Sequence, residues 1–107
     1  VGKYPSRVGL FSAAELAKIQ ADMEERLSRR LGVSSAREEI LGGFLAMKPM
    51  AAAARRQIEI FIRLMAINEQ AGRVRIGHGS DHTVKLFQLM EEAEELRDEF
   101  LKLEAQQ

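Results

Sequence analysis

Cysteine is missing from all 107 residues. Disulfides, thiolate metal sites and cysteine nucleophiles fall away together, and a reducing, intracellular setting is the expected one. Proline occurs only as Pro5 and Pro49, and alternating runs of β-branched residues are almost lacking, so helix is the dominant reading. Long apolar runs are lacking too. The strongest, Ile58 to Ile67, is interrupted by Glu59 and Arg63 and falls short of the roughly 20 apolar residues that a membrane-crossing helix needs. No secretory signal pattern opens the chain. Because it starts at Val1 rather than Met, it is expected to be a domain, a processed product or a portion of something longer.

What is present is the composition of an ordinary folding sequence, 46% hydrophobic and 30% charged, in a length that suits one domain with one modest core. Net charge is zero but unevenly laid out. Up to position 78 there are 13 Lys and Arg against 8 Asp and Glu; beyond it there are 3 against 8.

The fold class expected is all-α, about four helices packed as a small bundle with a long C-terminal helix. Residues 1–11 carry Gly2, Pro5 and Gly9 without a period and read as an N-terminal arm before a single helical domain over 12–107. Ser12 with Glu15 forms a capping box for a first helix over 12–31. There Leu16, Ile19, Met23, Leu27 and Leu31 share one face, Asp22–Arg26 and Glu25–Arg29 are favourable pairs on the outer side, and Gly32 supplies the stop. Ser35 with Glu38 opens a second helix over 35–47, bearing Ile40, Leu41, Phe44, Leu45 and Met47. Gly42 and Gly43 inside it each cost about 1 kcal/mol relative to Ala; either the helix breaks there or another backbone comes close, and close packing is the favoured reading. Pro49 suits the first turn of a third helix over 49–71, closed by Gly72. Ile58, Ile60, Phe61, Ile62, Leu64, Met65 and Ile67 point in nearly every direction around it, beside a narrow polar stripe of Arg56, Glu59, Arg63 and Gln70, so it must be covered on most sides. A short extended piece is open at Val74 to Ile76.

The last helix, 81–105, has the sharpest pattern. Leu86, Leu89, Ala93, Leu96, Phe100 and Leu103 alternate at spacings of three and four, a coiled-coil-like heptad seam, and these six are the candidate assembly interface. Glu91 with Glu95, Glu94 with Asp98 and Glu95 with Glu99 repel at i,i+4, against the single favourable pair of Asp98 with Lys102. A basic neighbour would relieve this helix.

No complete chemical constellation emerges. His78 and His82, with Ser80 and Asp81, read as a turn and helix cap rather than a metal or general-base site. The glycines 72, 77 and 79 fit neither the dinucleotide fingerprint nor the P-loop. The acidic residues Glu91, Glu92, Glu95 and Asp98 superficially resemble the magnesium sites of all-helical pyrophosphatases, but Glu38 and Glu39 are the only candidates for the facing motif such a site needs. Ser28 to Leu41 resembles part of a helix-turn-helix, although Glu38 stands where an apolar residue is normal. Arg26, Arg29, Arg30 and Arg37 are its candidate nucleic-acid contacts, with Arg55 and Arg56 extending the patch; alternatively these arginines face the acidic last helix. The function expected is a non-catalytic structural or adaptor subunit working through helix-mediated protein–protein assembly, with itself or another subunit. An oligomeric DNA-binding protein is the alternative. No catalytic residue, cofactor or metal is expected.

Overall fold

The computed structural model describes residues 13–43, 45, 49–76 and 82–106. They form four helices and no strand: α1 (Ala13–Leu31), α2 (Ala36–Leu41), α3 (Ala52–Ile76) and α4 (His82–Ala105). The expected all-α bundle with a long last helix is therefore the architecture. Helix α3 lies at its centre, packed against both α4 and α1, while α2 rests on α1.

The three-and-four spacing of α1 places Leu16, Ile19, Met23 and Leu27 in the core. Its end is fixed by Gly32 at φ +70, a conformation that glycine adopts without steric strain. The Gly32 N–H donates to the Arg29 carbonyl at 3.3 Å and that of Val33 to the Ser28 carbonyl at 3.0 Å, the paired bonds of a Schellman end. The turn is then pinned by side chains. Ser28 accepts from the Ala36 amide at 2.8 Å, Ser35 accepts from the Glu38 amide at 3.2 Å, and the Ser35 hydroxyl donates to Glu24 at 3.0 Å. Ser12, the expected cap of α1, lies outside the described residues.

Helix α2 is shorter than expected. It stops at Leu41, where the Gly42 N–H turns back to the Glu38 carbonyl and the Gly43 N–H to that of Ile40, and Gly43 takes φ +76. A Cβ at Gly43 would meet nothing within 4 Å, so this glycine serves the backbone angle and not the close approach that the sequence suggested. Phe44 and Met47 lie outside the described residues.

Helix α3 starts later and ends later than expected. Its first turn closes with the Arg55 amide on the Ala51 carbonyl at 3.1 Å, two residues after Pro49. It then runs through Gly72 to Ile76, so Val74 to Ile76 is helical and not extended. Gly72 is a weak helix former, but Ala71 beside it is buried in the core, and packing outweighs the local preference. Ile60, Phe61, Leu64 and Ile67 are fully buried against Met90, Ala93 and Phe100 of α4 and the apolar face of α1. Two polar groups lock this core. Gln57, 1% exposed, accepts from the Arg30 guanidinium at 2.7 Å and donates to the Phe100 carbonyl at 3.2 Å. Asn68 donates to the carbonyls of Leu16 and Leu64. Between them α1, α3 and α4 are held in register.

Candidate functional site

The six seam residues of α4 all turn inward. Ala93 and Phe100 are fully buried, and Leu86, Leu89, Leu96 and Leu103 are half-buried against the same core. Within the chain the seam meets α3 and α1, which cover Ala93 and Phe100 fully and the four leucines in part.

The acidic flank of α4 is met in the same way. Arg56 grips Glu99 with two bonds, at 2.7 and 2.9 Å, and also reaches Glu59 at 3.2 Å. Arg63 grips Glu92 with two, at 2.5 and 2.8 Å, and Arg26 reaches Glu104 at 2.6 Å. The Arg63 hydrogen bonds hold the Glu92 carboxyl below its ordinary range, and those from Arg56 do the same for Glu99. Bonds to Glu104 and then Asp22 push the Arg26 guanidinium up. These arginines descend from two different helices onto a third, which is how opposite charges in the two parts of the sequence become contacts in space.

The candidate nucleic-acid contacts are consequently split. Arg26 is tied to Asp22 and Glu104, and Arg30 is half-buried on Gln57. Arg29 is exposed and 3.8 Å from Glu25; Arg37 is exposed on α2. Glu38, awkward for a helix-turn-helix if buried, is exposed on a helix of only six residues. Of Arg55 and Arg56, the first is exposed and the second faces α4.

Among the described residues no group of three or more histidine, aspartate and glutamate side chains is placed to hold a metal, and no described helix is long and apolar enough to cross a membrane. The stretch from Gly77 to Asp81, with His78, lies outside the described residues.

Among the described residues two surface hollows stand out. One, of about 400 Å³, lies between α3 and α4 and is lined by Arg63, Arg73, Lys85 and Glu92. Its arginines are engaged, Arg63 with Glu92 and Arg73 with Glu69. The other, of about 260 Å³, lies where the turn after α2 meets α3: Ile40, Leu45, Ile58 and Ile62 give it apolar walls, and Arg55 and Glu59 stand beside them. Leu45 is buried there, away from the main core. Within it Ile62 is 45% exposed; elsewhere on the surface Leu41, which ends α2, is 63% exposed.

The sequence placed Ile40 and Leu45 on the second helix and Ile58 and Ile62 on the third without bringing them together, and so did not show this hollow. The signal was present in α3, because a helix apolar in nearly every direction needs cover on nearly every side, and α1 and α4 cover only part of it. No known family model, curated protein or solved structure matches the chain.

Proposed function

We propose that this protein is a non-catalytic structural or adaptor subunit that works by helix-mediated assembly, and that its docking surface is the outer side of α3 beside α2. The observation that carries the reading is the apolar hollow walled by Ile40, Leu45, Ile58 and Ile62, with Ile62 open to solvent. An isoleucine left nearly half exposed on the helix at the centre of the fold is an incomplete burial, and burying the exposed remainder on a partner is worth about 1 kcal/mol, a little under half of the full value for such a side chain. The α4 seam is then the scaffold that fixes α3 and not the surface offered to the partner.

Comparison of the intact chain with its I62D variant, by co-purification from the native source, tests this. A partner recovered with the intact chain and lost with I62D is the expected result. Equal recovery with both, or nothing with either, overturns it.

A DNA-binding oligomer is the second reading, supported by the exposed positions of Arg29 and Arg37 on either side of the Gly32 turn. Phosphate contacts of that kind give binding that weakens steeply with salt. A low-salt gel shift should retard DNA and lose the shift when Arg29 and Arg37 are changed to Glu; absence of any retardation removes this reading.

A further inference from the structure

We infer that the partner of this surface is a second copy of the same chain, docked antiparallel about a two-fold axis at Ile62. The inference rests on the assembly reading and adds the identity and geometry of the occupant.

Its basis is a symmetry in the exposed stripe of α3. Seven residues before Ile62 stands Arg55 and seven after it stands Glu69, both exposed. Seven residues are almost two helical turns, so all three lie on one stripe, with each charge about 10.5 Å along the axis from Ile62. A two-fold interface requires that residue i of one chain meet residue j of the other while j meets i. Reversing the helix about Ile62 satisfies that condition: Arg55 faces the Glu69 of the second copy, and Glu69 faces its Arg55. Ile62 meets itself at the centre. Half-buried Ile58 and Met65 border it on the same side of the stripe, adding apolar area where the two helices approach most closely. Glu69 already holds Arg73 of its own chain, so in the pair it sits between two guanidinium groups. The opposite alignment fails on charge, because parallel helices in register would set Arg55 against Arg55 and Glu69 against Glu69.

Neighbouring features reinforce the choice of a second copy. Arg55 and Glu69 stand at equal distances from the apolar centre, while Glu59 beside it is held by Arg56 and Glu69 also holds Arg73, so charges of both signs balance and the surface has no net sign to attract a strongly acidic or basic partner. Such a surface is complementary to its own reversal.

Charge exchange tests the pairing. Sedimentation of the whole chain across micromolar to millimolar concentration should show a monomer–dimer equilibrium. R55E alone and E69R alone should each weaken it by about tenfold, since two exposed pairs, each worth about 0.2 to 1 kcal/mol, become repulsive. An equimolar mixture of R55E with E69R should recover the association as a heterodimer, and the R55E/E69R double variant should recover it as a homodimer. Circular dichroism of each variant separates lost pairing from lost folding, and the recovered mixture does so independently.

A wild-type chain that stays monomeric throughout overturns the two-fold pairing, as does a dimer indifferent to both single reversals. If the monomeric chain nevertheless retains an I62D-sensitive protein on co-purification, the occupant is a different protein: the pairing fails while the assembly reading stands. If nothing is retained, both fail.

Discussion

Ser28 shows how much a single small polar side chain carries. The first amides of a helix have no partner within it, and the Ala36 amide at the start of α2 is buried. It is satisfied by the Ser28 hydroxyl at 2.8 Å, with Ser28 itself 8% exposed. Replacing Ser28 by Ala leaves that donor orphaned, and a buried unsatisfied group costs about 1 to 3 kcal/mol. We expect S28A to lower urea stability by that amount and to speed exchange of the Ala36 amide more than that of the α3 core; a change confined to the surface of α1 would show the bond to be idle. Glutamates on α4 supply the residue-scale pH dependence. Arginine hydrogen bonds depress the carboxyls of Glu92 and Glu99, so both groups bind their protons less readily folded than unfolded. Their contribution is complete above the ordinary glutamate value of about 4.3 and is lost as pH falls through the depressed folded values. Each pair is about two-fifths exposed, which limits it to about 0.2 to 1 kcal/mol. Urea midpoints measured across the acid range should fall less steeply for E92Q/E99Q than for the unaltered chain, and parallel curves would refute the assignment.

At the scale of elements, glycine separates what the sequence made plain from what it hid. Gly32 was legible as a helix stop, because it follows an amphipathic run and the structure needs a positive φ there. Gly43 and Gly72 were not legible. A glycine that ends a helix and one that lies within it differ by the packing of their neighbours, and here buried Ala71 carries α3 onward, while at the end of α2 Leu41 is exposed and Gly43 takes a positive φ. The seam of α4 was readable as a buried stripe from its spacing alone, but periodicity does not say whether the cover comes from the same chain. The arginines told more: their excess outside α4 anticipated the bonds from Arg26, Arg56 and Arg63. The hollow at Ile62 depends on where two connected elements diverge, which no local pattern encodes. The glycine distinction is measurable. Gly72 is helical and a Cβ there meets nothing within 4 Å, so G72A should stabilise by about 0.5 to 1 kcal/mol. Gly43 is equally open in space but left-handed, so G43A should destabilise by about 1 kcal/mol, in the range for such strain. Denaturation curves moving in the same direction for both would contradict this division.

For the whole molecule, the decisive contrast lies between the two large apolar side chains Phe100 and Ile62. Phe100 is fully buried where α4 meets α3, and F100A should cost about 3 to 5 kcal/mol because both transfer free energy and a cavity are involved. Ile62 makes much less of its surface dry within one chain, so I62D should leave the isolated fold nearly as stable as before. Under the proposed pairing its effect falls on association. A partner that binds only the folded state raises apparent stability in proportion to the logarithm of its concentration, and when that partner is the same chain the thermal midpoint depends on protein concentration. The unaltered protein should therefore melt at a higher temperature as it is concentrated, while I62D should melt at one temperature throughout. F100A should melt far lower yet keep the concentration dependence wherever it remains folded, because its defect lies on the opposite side of α3 from the docking stripe. A midpoint independent of concentration in the unaltered protein would separate the exposed isoleucine from self-association, and a slope preserved in I62D would move the interface elsewhere on the bundle.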